Sequence, residues 1–371
     1  MTDTSSALFT PFTTRGVTFK NRIVVSPMCQ YAAVDGHATD WHFEHYARLA
    51  LGGVGGCVVE STGVLPQGRI TPGCLGIWSD EHVGGLSKIV ESFKRQGAAI
   101  GLQLGHAGRK GSSATPWDGG RGLPEGDPQG WTCEAPSAIS YDGERPAPHA
   151  LTVEEIAGIV TAFAEAAKRA VAAGFDFVEL HGAHGYLIHS FVSPVSNTRD
   201  DAYGGSAENQ MRLPLEIAAA VRAALPEEMP LFYRASCIDR LGDEGIQLED
   251  TVELARRLKA VGVDLMDCSG GGVLLRTNPG QIKEGPGFQV GFAERIRAEA
   301  GIATMAVGGI TDPAQAEEIV AQGRADLCAL GKEMLADSNF AHRAALALDI
   351  EKPDFVLPQR YAFYLQFRPR A

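Results

Sequence analysis

Eight short apolar segments recur along the chain, and helical patterns fill the gaps between them. The segments span residues 23–26, 56–61, 98–104, 175–180, 231–235, 264–268, 303–307 and 325–330. Nearly continuous apolar runs of this length are typical of parallel strands that are buried on both faces. Eight strand–helix alternations predict an α/β fold, the (β/α)8 TIM barrel. An open doubly wound sheet is the less favoured alternative, because the sequence lacks the glycine-rich fingerprint of dinucleotide-binding sheets.

Two segments interrupt this alternation. Residues 111–149 contain six prolines among many glycines. They follow the third predicted strand, where a barrel carries active-site loops, so we expect a capping loop there. Residues 350–371 form an irregular tail with five aromatic side chains, too many for a solvated segment, and we expect them to pack on this subunit or a neighbour. We expect a single domain over residues 1–371, with the capping loop and the tail as its appendages.

Charge and cysteine content exclude several classes of function. The net charge is −12 and no run of basic residues is present, which disfavours nucleic-acid and anionic-membrane binding. No apolar stretch is long enough to span a membrane, and the first residues lack the features of a secretory signal, so we expect a cytoplasmic protein. The seven cysteines form no C-x-x-C pair, which indicates reduced thiols rather than a zinc or iron–sulfur site.

Polar and glycine residues gather directly after the predicted strands, where a barrel enzyme places its chemistry. The first strand leads into Ser26-Pro27-Met28-Cys29-Gln30-Tyr31, and the last three strands end in glycines, with Lys332 after the eighth. Glycine turns that open a helix expose N–H groups to phosphate. Tight turns that require glycine are the alternative reading, and three consecutive strand ends favour phosphate.

The fourth strand end carries His181, His184 and Tyr186. His-x-x-His can bind zinc, but the loop offers no third ligand, so we disfavour a metal and predict none. The favoured reading is a pair of N–H donors for a carbonyl oxygen with a tyrosine as proton donor. His42 and His45 lie on a predicted helix, and we expect them to be ordinary helix-face residues.

The strand ends, in this order, resemble the Old Yellow Enzyme family of FMN-dependent ene-reductases. The motifs SPMCQY (26–31), WHFEHY (41–46), ESTGVLPQGRI (60–70), QLGHAGRK (103–110) and HGAHGYLIHSFVSPVSNTRDDAYGGSAEN (181–209) carry the resemblance. It extends from residue 8 to about residue 335. Cys29, Gln103 and the aromatic tail are similar to those of the family's "thermophilic-like" subclass.

The resemblance implies a role for each site residue. The flavin ring would be lined by Ser26, Pro27, Met28, Cys29 and Ser61. Its polar edge would be hydrogen-bonded by Gln103 and Arg234. Its phosphate would be held by Gly309, Gly331 and Lys332. The substrate oxygen would be bound by His181 and His184, protonation would come from Tyr186, and Tyr31 would help to position the substrate. Lys332 stands where the family commonly has an arginine.

The implied reaction is hydride transfer from NADPH or NADH through FMN to the β-carbon of an activated alkene, such as an α,β-unsaturated ketone, aldehyde or imide, with ping-pong kinetics. Nitro compounds, nitrate esters and quinones are alternative substrates for the same site. A flavin-binding sensor is the non-enzyme alternative. The subclass also implies a homodimer or homotetramer.

Overall fold

The computed structural model describes residues 6–275 and 284–368. Eight strands form one closed parallel barrel in which each strand pairs with the next along the chain and the eighth pairs with the first. The strands are β1 (Ile23–Val25), β2 (Gly56–Gly63), β3 (Ala99–Gly105), β4 (Phe177–Gly182), β5 (Leu231–Ser236), β6 (Leu265–Ser269), β7 (Ala303–Val307) and β8 (Leu327–Leu330). All eight predicted strands are confirmed, each within two residues at either end, and the open sheet is excluded.

Helices surround the barrel. The larger ones are α1 (Asp40–Leu51), α2 (Val83–Lys94), α3 (Val153–Ala173), α6 (Arg212–Ala224), α7 (Leu248–Ala260), α8 (Val290–Ala300), α9 (Pro313–Ala321) and α11 (Phe340–Ala347). The shorter ones are α4 (Leu187–Val192), α5 (Ala207–Gln210), α10 (Lys332–Ala336) and α12 (Gln359–Leu365). Local signals fix several boundaries: Thr152 and Glu155 form a capping box at the start of α3, and Gly174 ends it in the left-handed conformation.

The end of the barrel that holds the strand N-termini is closed. A hairpin of Phe12–Thr14 and Val17–Phe19 precedes β1. Its Phe19 packs 5.5 Å from Phe177, which lies 4.6 Å from Phe232 (ring centroids), and all three rings are buried. Because this end is filled by aromatic side chains, the opposite rim, formed by the carboxyl ends of the strands, is left for ligands.

The capping segment, residues 111–149, is irregular and lies against that rim. It contains a 3-10 turn at Pro116–Asp118 and the two-residue strand Glu134–Ala135, which pairs with His149–Ala150. His106, just after β3, holds it by a contact of 3.1 Å between Nε2 and Glu134 Oε2, and Trp131 Nε1 donates to Gln67 O at 2.9 Å. The expected capping loop is therefore present.

The tail differs from the expectation of an irregular segment. It forms a turn at Pro353–Val356 and then α12. Phe355 packs edge-on against Phe9, with ring centroids 5.8 Å apart, whereas Tyr364 and Phe367 are more than 70% exposed in this chain. Among the described residues, no helix is both long and apolar enough to cross a membrane.

Candidate active site

Ser26 joins two parts of the rim. Its amide donates to Leu330 O at 2.9 Å, and its hydroxyl accepts a hydrogen bond from Arg234 Nη1 at 3.1 Å. Gly331 lies directly beside it: a Cβ there would sit 3.9 Å from Ser26 Cβ and 3.7 Å from Met28 Sδ. The structure thus brings together predicted cofactor residues from the first, fifth and eighth strand ends.

A buried polar layer lies beneath this part of the rim. Gln103 Nε2 donates to Glu179 Oε1 at 2.8 Å, and Arg234 Nη1 lies 3.3 Å from Asp267 Oδ2. Burial raises the pKa of both Glu179 and Asp267, while the Arg234 guanidinium opposes that effect. One guanidinium therefore faces two buried carboxyl groups. Glu179 and Asp267 could not be predicted from the sequence, because both lie inside strands and belong to no motif.

His181, His184 and Tyr186 meet at one point of the rim. The ring centroids of His181 and His184 are 5.2 Å apart, and those of His181 and Tyr186 are 4.9 Å apart. His184 Nε2 lies 2.7 Å from Ser269 Oγ, whereas His181 Nδ1 is buried without a hydrogen-bond partner. The three residues come from one strand end because β4 stops at Gly182 and a tight turn precedes α4.

Electrostatics make this trio neutral. Burial, reinforced by Arg234, holds the pKa of both imidazoles well below their usual range. Each ring therefore carries a single N–H at neutral pH. Burial also raises the pKa of Tyr186 well above its usual value, so the phenol keeps its proton. The arrangement can donate hydrogen bonds and a proton without holding a charge of its own.

Lys110 is a further residue of this point of the rim. Its Nζ donates to His184 O at 2.7 Å and lies 4.9 Å from the ring centroid of Tyr186 and 4.6 Å from that of Tyr141. Burial, with Arg145 and Arg109 nearby, lowers its pKa to about 7. The sequence showed Lys110 only as part of the QLGHAGRK motif, and its contact with the capping segment could not be read from that motif.

Cys29 and Tyr31 lie on the loop after β1. Burial raises the pKa of the Cys29 thiol well above its usual value, so it is not a thiolate. The Tyr31 ring packs edge-on against Trp117 of the capping segment, with centroids 5.8 Å apart. A cleft of about 910 Å³ runs along Tyr31 beneath that segment.

Glu60 supports this loop from inside the protein. Its Oε2 accepts the Gln30 amide at 2.8 Å, the Tyr31 amide also donates to it, and the Tyr46 hydroxyl lies 3.3 Å from Oε1. A β-bulge between Val59 and Thr62 turns this part of β2, which also carries the rim residue Ser61. Ser61 Oγ lies directly over Gly105, where a Cβ would come within 2.3 Å.

His42, on α1, faces the Glu60 carboxyl. Its Nδ1 accepts the Thr39 amide at 3.1 Å, and its Nε2 lies 3.6 Å from Glu60 Oε1. His42 and His45 are both buried, and burial lowers the pKa of each to about 4. Both residues lie on α1, as expected, and belong to the face that this helix turns toward the barrel.

The predicted phosphate residues follow β7 and β8, which are paired neighbours. Gly308 and Gly309 both have positive φ. Gly309 packs closely on Gly285, because a Cβ on Gly309 would lie 2.3 Å from the Gly285 carbonyl oxygen. Lys332 is exposed at the start of α10. Backbone N–H groups and one exposed cation are thus available at this side of the rim.

The donor set of the rim fits FMN. One donor, the Arg234 Nε–H, is buried without a partner, and a second group, the glycine turns and Lys332, follows the seventh and eighth strands on the same rim. A flavin offers carbonyl and ring-nitrogen acceptors to the first group and a phosphate to the second. In residues 6–275 and 284–368, no three His, Cys, Asp or Glu side chains gather as a metal site.

Comparisons with known proteins agree with this site. The sequence profile of the NADH:flavin oxidoreductase / NADH oxidase family matches residues 7–351. The NADPH dehydrogenase of Bacillus subtilis (strain 168) is 47% identical over 348 residues, covering 93% of this chain and 96% of the relative. The NADPH dehydrogenase of Clostridium acetobutylicum is 43% identical over 357 residues, covering 96% and 99%.

The solved structure of morphinone reductase superimposes with a TM-score of 0.77 at 27% identity, covering 93% of this chain and 90% of that one. The resemblance to the Old Yellow Enzyme family is confirmed. The chain belongs to the NADH:flavin oxidoreductase / NADH oxidase family and is an FMN-dependent enzyme that takes electrons from NAD(P)H.

Proposed function

We propose that this enzyme reduces activated alkenes, adding hydride to Cβ and a proton to Cα of an α,β-unsaturated carbonyl compound. The observation that carries the proposal is the neutral trio on one turn. His181 and His184 offer N–H groups beside Tyr186, whose buried phenol keeps its proton. A carbonyl oxygen is a suitable acceptor for two neutral donors, and the carbon α to it needs a proton from an acid that is not already ionised.

Each residue has a distinct task in this proposal. The histidine pair binds the carbonyl oxygen and polarises the alkene, so that Cβ becomes electron-poor. Tyr186 delivers its proton to Cα, and Tyr31 orients the substrate from the other side of the rim. FMN, when bound, supplies hydride that originates from NAD(P)H. Because coenzyme and alkene would use the same site in turn, the kinetics would be ping-pong.

The flavin-binding residues are also part of the proposal. Ser26, Pro27, Met28, Cys29 and Ser61 would line the ring, and Gln103 and Arg234 would bind its polar edge. Arg234 would stabilise negative charge on the reduced ring, although Asp267 at 3.3 Å compensates part of its field. Gly309, Gly331 and Lys332 would hold the phosphate.

We also propose a single FMN-binding domain over residues 1–371, a cytoplasmic location, a small-molecule substrate without nucleic acid or membrane, and a homodimer or homotetramer. The exposed aromatic side chains of α12 support the oligomer, because monomeric proteins rarely expose such patches.

The Tyr186→Phe variant tests the proposed reaction. Each half-reaction is followed anaerobically by the flavin absorbance, first with NADPH and then with cyclohexenone. We expect the reduction step to persist and the reoxidation step to slow by about two to four orders of magnitude, as for loss of a general acid.

The wild-type protein decides among the alternatives. Flavin that is bleached by NADPH but not reoxidised by cyclohexenone would reject the alkene and direct the search to nitro compounds, nitrate esters or quinones. Flavin that is bleached by NADH but not by NADPH would assign NADH as the electron donor. A Tyr186→Phe variant that reoxidises at the wild-type rate would remove Tyr186 from the mechanism.

A further inference from the structure

The turn that carries His184 and Tyr186 is held in a strained conformation. His184 and Gly185 have φ values of 60° and 75°, both in the left-handed region. Gly185 packs so closely on Gly272 that a Cβ would lie 2.1 Å from Gly272 O. A left-handed non-glycine residue costs free energy and persists only where its surroundings fix it. The contacts that fix this turn therefore decide where the site residues stand.

Three contacts hold the backbone of the turn. The His184 amide donates to Ser236 Oγ at 2.8 Å, and His184 O accepts from Lys110 Nζ at 2.7 Å. The Gly185 amide, between the two site residues, donates to His189 Nδ1 at 2.8 Å. His189 lies on α4, four residues further along the chain, and is buried. The proposed mechanism gives it no task.

The Gly185 contact determines the protonation of His189. A ring nitrogen that accepts an N–H carries no proton, so the remaining proton of the neutral ring is on Nε2. His189 Nε2 lies 2.9 Å from Asp239 Oδ1. Asp239 thus favours the tautomer of His189 in which Nε2 carries the proton and Nδ1 can accept. A carboxylate beside one ring nitrogen fixes the tautomer of histidines at metal and catalytic sites in the same way.

Asp239 is itself firmly placed. It is fully buried on the loop after β5, and its Oδ2 accepts from Ser193 Oγ at 2.6 Å and from the Ile246 amide at 2.9 Å. Burial alone would raise the pKa of Asp239, but His189, Ser193 and the Ile246 amide together keep it below its usual value. A carboxylate that stays ionised 2.9 Å from Nε2 favours a proton on that nitrogen, so the tautomer of His189 is maintained.

We propose that His189 and Asp239 are positioning residues that fix the strained turn and thereby place His184 and Tyr186 for the reaction. This inference rests on the proposed function of those two residues. Neither His189 nor Asp239 lies among the residues that would touch substrate or cofactor. They act through the Gly185 amide, and through it on both neighbours.

Two matched variants separate the contact with Gly185 from the contact with Asp239. In His189→Asn, the amide oxygen replaces Nδ1 and can accept from Gly185. In His189→Gln, the longer side chain brings its amide to the position of Nε2, which keeps the contact with Asp239 and removes the acceptor for Gly185. Both variants keep a buried amide, so a general loss of polarity does not distinguish them.

The readout is reoxidation of the NADPH-reduced holoenzyme under two conditions. With cyclohexenone we expect His189→Gln to be slowed roughly tenfold or more, because a shift of about 1 Å in reacting groups can cost two orders of magnitude. His189→Asn should recover most of the wild-type rate. Reoxidation by molecular oxygen, which needs neither His184 nor Tyr186, should be equal in all three proteins.

Hydrogen exchange of the peptide that contains Gly185 gives a second readout that does not depend on the substrate. Exchange should be slow in the wild type and in His189→Asn and faster in His189→Gln. Equal exchange in the two variants, or equal alkene rates, would overturn the positioning role. A wild-type enzyme that fails to reduce cyclohexenone would instead reject the proposed function, and the exchange comparison would still decide on the turn.

Discussion

Replacing Glu60 with glutamine should change the pH dependence of stability. The Glu60 carboxyl is fully buried, and burial raises its pKa to about 8 from an ordinary value of 4.5, against the hydrogen bonds of Gln30, Tyr46 and Tyr31, which lower it. Below pH 4.5 the carboxyl is neutral in both the folded and the unfolded chain. Between pH 4.5 and 8 it ionises only when the chain unfolds, so the free energy of unfolding falls as pH rises.

The size of the effect follows from the two pKa values. Each pKa unit corresponds to about 1.4 kcal/mol, so Glu60 should cost the wild type about 3 kcal/mol of stability between pH 5.5 and 7.5. A glutamine at this position does not titrate. The glutamine changes the free energy of unfolding because its amide group faces the Gln30 and Tyr31 amides, and this change is the same at every pH. The difference in stability between Glu60→Gln and wild type should therefore shift in favour of the variant by that amount.

Urea denaturation at fixed excess FMN, at several pH values from 5.5 to 7.5, measures this difference. Glu81→Gln, on the surface, serves as the matched control and should give a constant difference. A constant difference for Glu60→Gln as well would refute the reasoning. It would mean that the hydrogen bonds to Glu60 keep it ionised in the folded protein despite its burial.

Three further predictions concern the cofactor, the capping segment and the tail. Lys332→Arg should tighten FMN binding about fivefold, because a guanidinium forms a two-pronged contact with phosphate, and a fluorescence titration that shows unchanged or weaker binding would contradict this. At pH 6, below the pKa of about 7 of Lys110, Lys110→Met should speed proteolytic cleavage within residues 111–149 by roughly twofold to tenfold, because it removes the cation–π contact with Tyr141; an unchanged cleavage rate would show that other contacts hold the segment. Replacing Phe363 and Tyr364 of α12, and Phe367 just after it, with serine should lower the mass measured by light scattering, because these exposed rings form the proposed subunit contact; an unchanged mass would exclude that surface.

The barrel could be predicted because its strands are buried on both faces and are therefore apolar along their whole length. Capping residues indicate where the helices between them begin and end, such as Thr152 and Gly174 at the two ends of α3. Two of the short helices could not be predicted. The sequence of α4, Leu-Ile-His-Ser-Phe-Val, suits a strand as well as a helix. The helix α12 has only two turns and is rich in aromatic residues. In both cases tertiary packing overrides weak local preference.

Strand direction explains why the rim residues could be predicted. In a parallel barrel all strand ends lie on one rim, so Ser26, His181 and Arg234 fall near one another without any knowledge of side-chain conformations. The supporting groups could not be found in this way. Glu60 and His42, or Asp239 and His189, are far apart in sequence, and only the folded chain shows that each buried acid faces a histidine.

The edge-on contact between Trp117 and Tyr31 gives the enzyme a built-in optical reporter. Two of its four tryptophans, Trp117 and Trp131, belong to the capping segment, and a third, Trp78, contacts the same Arg69 guanidinium as Trp131. Indole emission is quenched by a nearby flavin and responds to solvent. Movement of the cap during a catalytic cycle would therefore register in the protein's own fluorescence, without any attached dye.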